Sequence, residues 1–184
     1  MQRTLIIANG ELRPGLAERL AGERFDGIIA VDGGAEHCKV LGLEPTLLLG
    51  DLDSVTPGTL AHFTGRGTAL ERHPSRKDAT DLELALDRAL QAGSTWIVLA
   101  CALGGRLDMA VANLLLLARP AFRDVRVELW DPRQTAVILR PPGGEVHGSP
   151  GDTLSLIPLA GDAEGLATEG LAYPLRDECI PFGQ

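Results

Sequence analysis

The sequence predicts an α/β fold: a parallel, Rossmann-like sheet flanked by helices, followed by a small β domain. Three observations carry this. Short apolar runs, the first three ending at Asn, Asp or Gly, alternate with stretches of helical spacing over residues 1–131. Beyond Asp131-Pro132 the helical spacing stops and Pro and Gly become frequent, which places a linker near 131–133 and a β domain over 132–184. With 45% apolar and 23% charged residues in 184, the chain can bury a core and shows no disorder signature.

The elements follow in order. Residues 4–8 form an apolar, β-branched run stopped by Asn9-Gly10, a strand and its turn. Leu12, Leu16, Ala17 and Leu20 share a helical face that starts near Pro14, a residue suited to a first turn. A second strand over 27–31 ends at Asp32-Gly33-Gly34, and a helix over 35–41 stops at Gly42. Residues 45–49 supply a third strand that breaks off at Gly50. A short helix over 57–65 and an edge strand over 68–72 come next. Leu82, Ala85, Leu86, Ala89 and Leu90 then have helical spacing, with Thr80 and Glu83 as a capping box. A buried strand over 96–100, a helix over 107–118 ended by Pro120, and an alternating strand over 125–130 complete the series. The C-terminal part offers β-like runs at 135–139, 145–147 and 153–158, without a clear closing strand.

Chemistry concentrates where strands end. Gly50-Asp51-Leu52-Asp53-Ser54 puts two carboxylates one residue apart at a strand's carboxyl end, where open α/β sheets place ligands. Nearby carboxylates raise each other's pKa unless a cation holds both ionised, and Mg²⁺ takes one or two carboxylates together with phosphate oxygens. A polar loop in which Asp53 caps a helix is the plainer alternative. Asp32-Gly33-Gly34 suits either backbone approach to a phosphate or a tight turn. Asp78 and Asp81 open a helix, where acidic residues complement the macrodipole, and Lys77 stands beside them. Gly104-Gly105-Arg106-Leu107-Asp108 offers a guanidinium fork for phosphate, or a local Arg–Asp pair. Taken together, Asp32, Asp51, Asp53, Asp81 and Asp108 all fall at strand-to-helix junctions, and a metal–polyphosphate site explains that set better than five separate turns. No complete G-x-G-x-x-G or P-loop pattern is present.

Composition excludes other classes. A net charge of −8 provides no basic field for a nucleic-acid backbone, although a metal can bring a nucleotide to an acidic site. Cys38, Cys101 and Cys179 are odd in number and lack metal-ligand spacing, so a reduced, cytoplasmic setting is expected. The sequence shows no secretory signal pattern and no apolar run of membrane-spanning length, so no membrane partner is expected.

Asp32-Gly33-Gly34-Ala35, Gly50-Asp51-Leu52-Asp53-Ser54, Lys77-Asp78-Ala79-Thr80-Asp81-Leu82 and Gly104-Gly105-Arg106-Leu107-Asp108 occur in this order and at family-like separations. The set resembles the bacterial form of thiamine pyrophosphokinase, and Gly170 to Leu175 resembles that family's thiamine-binding β domain. The resemblance implies an α/β domain, a C-terminal β-sandwich and a homodimer with sites between subunits. It also implies transfer of a pyrophosphoryl group from ATP to thiamine, with release of AMP. By matching positions, Asp51, Asp53 and Asp81 would hold Mg²⁺, while Lys77 and Arg106 would contact phosphate. Asn9, Asp32, Gly33, Gly34, Ser54 and Asp78 would help bind the nucleotide, and Asp108 would orient the reacting hydroxyl or take its proton. Departures from the family pattern are Glu36 in place of Asn, Thr46 in place of Asp, and Met109 in place of His. The family continues past Tyr-Pro-Leu into a Ser-Asn motif and a last strand, so an incomplete β domain is expected here. Two other functions stay open at this level: a non-catalytic nucleotide- or thiamine-binding homologue, and a metal-dependent nucleotide-sugar transferase.

Overall fold

The computed structural model describes residues 2–76 and 78–183. Lys77 therefore lies outside the described residues. The chain divides into two compact units, one through Pro141 and one from Pro142 onward.

In the first unit six parallel strands are β1 (Gln2–Ile7), β2 (Gly27–Val31), β3 (Leu47–Gly50), β4 (Ala69–Arg72), β5 (Ser94–Ala100) and β6 (Arg126–Asp131). A seventh, β7 (Gln134–Val137), pairs antiparallel with β6, and the sheet order is β4-β3-β2-β1-β5-β6-β7. The order reverses between β1 and β5, which opens a crevice at their carboxyl ends. Helices α1 (Leu16–Leu20), α2 (Gly34–Leu41), α3 (Pro57–Thr64), α4 (Asp81–Gln91) and α5 (Leu107–Leu116) connect the strands.

Successive strand residues point to opposite faces, so the all-apolar runs feed two cores. Leu5, Ile7, Ala30, Leu48 and Val98 pack with Leu16, Leu20, Ala35, Cys38 and Phe63 of α1, α2 and α3. Ile6, Ile29, Val31, Leu49, Ile97 and Leu99 pack with Leu82, Ala85, Leu86 and Ala89 of α4. This is the predicted α/β class, with most helix and strand positions where the periodicity put them.

Three expectations are corrected. The linker placed at 131–133 is the turn of a hairpin: the Asp131 carboxylate accepts from the Arg133 amide at 3.4 Å, and Asp131 pairs with Gln134 across the ladder. Asp-Pro reads as a break in sequence, yet here it folds the chain back, and the division falls at 141/142 instead. Strand β6, expected to alternate, is buried at five of its six positions, because Glu128 sits under Trp96 and Trp130. Arg126 and both indole N–H groups donate to that carboxylate, so a charge is buried with its partners.

The second unit contains an antiparallel pair, β8 (Ala163–Ala167) and β9 (Arg176–Ile180), neither of which the apolar pattern foresaw. The runs at 145–147 and 153–158 form no strand. Backbone pairing rather than apolar alternation selects β8 and β9. Just past β8 the chain turns, with Thr168 N donating to Leu175 O at 3.1 Å and Leu175 N donating to Thr168 Oγ1 at 2.8 Å.

Candidate functional site

The site is built at the carboxyl edge of the parallel strands. Asn9 follows β1, Asp32 follows β2, Asp51 follows β3, Cys101 follows β5, and Arg106 caps α5. The first three loops are locked to one another. Gly33 lies so close to Asn9 that a Cβ there would fall 2.1 Å from Asn9 Oδ1. Asn9 Nδ2 in turn donates to Ser54 Oγ at 3.3 Å, bridging the loops after β1 and β3.

Asp32 is the hub. Its backbone adopts φ 46°, in the left-handed region, and its carboxylate Oδ1 accepts from the Leu52 amide at 3.1 Å. Gly50 (φ 137°) packs against that carboxylate, and a Cβ there would lie 1.8 Å from Oδ1. Leu52 and Cys101, in the loops after β3 and β5, also have positive φ, at 61° and 55°. Such strain in non-glycine residues persists only where the surroundings over-determine it, and it clusters at functional sites. Asp51 Oδ1 accepts from the Asp53 amide at 3.2 Å, which curls the acidic loop so that both carboxylates belong to one turn.

Asp81 opens α4. Thr80 Oγ1 accepts from the Glu83 amide at 3.2 Å, as the cap predicts. The Glu83 carboxylate lies 3.8 Å from Arg119. Asp78 lies in the exposed turn before it. Arg106 and Asp108 make the local pair that was the plainer alternative: Nε to Oδ1 at 3.1 Å and Nη2 to Oδ2 at 2.5 Å. The Arg106 hydrogen bond holds the Asp108 carboxyl below its ordinary value. Both side chains stand largely in solvent, at 74% and 64% exposure, so the pair is open to exchange partners.

Several supporting residues carry no motif. Glu36 Oε1 accepts from the Thr56 amide at 2.8 Å and Oε2 from the Thr59 hydroxyl at 2.7 Å, tying α2 to the start of α3 and so to the end of the acidic loop. His37 Nε2 lies 2.8 Å from Gly10 O. Asn113, buried in α5, donates to Ala102 O at 2.7 Å. The one signal in sequence for Asn113 was an amide inside an otherwise apolar helix.

Oxygen donors of this kind suit Mg²⁺, which ordinarily takes one or two carboxylates and completes its shell with phosphate oxygens and water. Among the described residues, no group of three or more Asp, Glu, His or Cys side chains is placed to hold a metal ion, so Asp51, Asp53 and Asp81 are not brought together here as the ligand set the sequence led us to expect. The acidic loop by itself offers two carboxylates, Asp51 and Asp53, in one turn.

Comparison with known proteins identifies the family. Residues 20–129 match the family model for the thiamin pyrophosphokinase catalytic domain, and residues 141–184 match that for the thiamin pyrophosphokinase vitamin B1 binding domain. A thiamine pyrophosphokinase of Bacillus subtilis is 31% identical over 157 residues, covering 84% of this chain and 73% of that protein. The crystal structure of thiamine pyrophosphokinase from Bacillus subtilis superposes with a TM-score of 0.84 at 29% identity, covering 100% of this chain and 86% of that one. That of Geobacillus thermodenitrificans gives 0.73 at 27% identity, covering 99% and 84%. The chain belongs to the thiamine pyrophosphokinase family.

Proposed function

We propose that this protein transfers the terminal pyrophosphoryl group of ATP to the hydroxyethyl oxygen of thiamine. The thiamine oxygen bonds to the β-phosphorus, the bond from that phosphorus to the α,β-bridging oxygen breaks, and AMP leaves. The hydroxyl proton passes to solvent. The observation that carries this is the convergence of Asn9, Asp32, Gly33, Gly50 and Ser54 into one interlocked set of strand-end loops. Family membership supplies the substrate class.

In this reading Asn9, Gly33, Gly34, Ser54 and Asp78 line the nucleotide, and Asp32 fixes the loop that carries the acidic pair. Asp51, Asp53 and Asp81 would hold Mg²⁺, which when bound supplies charge neutralisation on the transferring phosphates. Lys77 would add a second cation. Arg106 has the planar fork for a phosphate and a carboxylate partner it can release. Asp108, held ionised below its ordinary range by Arg106, is better suited to orienting a hydroxyl than to taking its proton. Catalysis then rests on positioning and charge neutralisation rather than on a dedicated base.

A homodimer fits the same reading. Leu107, Val111, Leu114 and Leu115 of α5 are 38–78% exposed, an apolar stripe of the sort a second copy covers. A cytoplasmic setting fits the free thiols, and no described helix is long and apolar enough to cross a membrane.

The test is AMP release from Mg-ATP with and without thiamine. Thiamine-dependent AMP together with thiamine diphosphate supports the proposal. Thermal stabilisation by both ligands without turnover would instead identify a binding homologue. Indifference to thiamine would point to a different acceptor, a sugar among them.

A further inference from the structure

We propose that Asn113 is a positioning residue for the proposed reaction, setting the place of the Arg106–Asp108 pair. The inference rests on the site described above.

Three successive carbonyls after β5 are each held. Cys101 O accepts from Gly10 N at 2.7 Å, Ala102 O from Asn113 Nδ2 at 2.7 Å, and Leu103 O from Glu11 N at 2.8 Å. The outer two bonds come from the backbone of the loop after β1, so they join one strand end to another. The middle one comes from a side chain on α5 itself, the helix whose first turn carries Asp108 and whose cap is Arg106. Asn113 therefore clamps the second turn of α5 to the end of β5 and fixes the angle at which the helix leaves the sheet. Between clamp and site stand Gly104 and Gly105, both at positive φ, which by themselves would let that angle wander.

The amide is only half satisfied here. Asn113 is 8% exposed in a helix that is otherwise almost wholly apolar, and its Oδ1 has no hydrogen-bond partner among the described residues. A buried acceptor without a partner is destabilising, so the amide is retained for its donor, without which the carbonyl of buried Ala102 would lose this bond. What Asn contributes is a donor aimed at one carbonyl, and that carbonyl lies in the loop that delivers Arg106.

The test compares Asn113→Leu with Asn113→Ala in the full chain. Both remove the donor and leave Ala102 O without it, but they differ in packing: Leu fills the space, whereas Ala adds a cavity. A displacement of an ångström at the reacting groups costs on the order of 100-fold in rate. The expected result is a fall in kcat of about tenfold or more in both variants, with both KM values within about threefold of wild type. The melting temperature should fall in both variants, and clearly further for Ala than for Leu, while kcat falls to a similar extent in each. Arg106→Gln is the control. Should it retain wild-type kcat, the functional reading of the pair fails, whatever Asn113 does. If Arg106→Gln is impaired but kcat in the two Asn113 variants follows melting temperature, or stays at wild type, the positioning role is overturned. Loss of a cooperative melting transition in both would likewise mark Asn113 as structural and overturn it.

Discussion

Replacing Gly50 with alanine probes the hub of the site through a single methyl group. The added Cβ would lie 1.8 Å from Asp32 Oδ1 and 2.6 Å from its Cγ, and the backbone there has φ 137°. Asp32 cannot yield cheaply, because its own backbone is held at φ 46° and its carboxylate accepts from the Leu52 amide. Holding alanine in that backbone region costs about 1–3 kcal/mol. Losing a charge-assisted hydrogen bond adds about 1.5–3 kcal/mol. For a chain of this size each kcal/mol lowers Tm by about 2–4 °C, so a fall on the order of 10 °C is expected. Scanning calorimetry measures it, and turnover at a temperature where the variant is folded separates site damage from unfolding. We expect turnover to be lost there as well, because the acidic loop moves with Leu52. A variant that melts within about 2 °C of wild type and turns over normally would refute the reasoning.

Two further outcomes follow from the electrostatics. Burial pushes the Glu36 carboxyl up, but the hydrogen bonds from Thr59 and Thr56 outweigh it and leave the group below its ordinary 4.5. A depressed carboxylate contributes stability that is fully present above 4.5 and is lost as pH falls through the lower folded value. Glu36→Gln should therefore lie below wild type in Tm at neutral pH, with the gap closing as pH drops under 4.5; a gap independent of pH would contradict this. Burial likewise pushes the Cys38 and Cys101 thiols up to about 12, while Cys179 is exposed. Ellman's reagent should find one rapidly reacting thiol in the native protein and three after unfolding; rapid native reaction of Cys38 or Cys101 would refute the burial assignment.

Much of this was legible in the sequence because the sheet is parallel and covered on both faces. Strands such as 4–8, 27–31 and 96–100 then read as largely apolar runs, and the first three strand ends are marked by Asn9, Asp32 and Gly50. Asp51, Asp53, Asp81 and Asp108 could be placed at that edge for the same reason. What escaped is whatever depends on partners distant in the chain. Glu36 is an ordinary first-turn acid until α3 arrives with Thr56 and Thr59. Glu128 looked like the polar half of an alternating strand, because nothing local announces the indole of Trp96, 32 residues away, that joins Trp130 on its carboxylate. Strands β8 and β9 were missed because backbone pairing, not an apolar face, defines them. Asp131-Pro132 has the composition of a linker and the geometry of a hairpin.

The proposed reaction requires that carboxylates from two loops, Asp51 and Asp53 on one and Asp81 on the other, serve one divalent ion when the nucleotide binds. Electron paramagnetic resonance of Mn²⁺, titrated in the presence of a non-hydrolysable ATP analogue, measures this directly in wild type and in Asp51→Asn, Asp53→Asn and Asp81→Asn. Loss of an outer-shell partner alone costs metal sites about 10–100-fold in affinity, so removing a direct ligand should cost at least that much. Weakening of this size is expected in all three variants, with melting temperatures close to wild type. Wild-type Mn²⁺ affinity in Asp81→Asn, with the other two impaired, would contradict a shared ion.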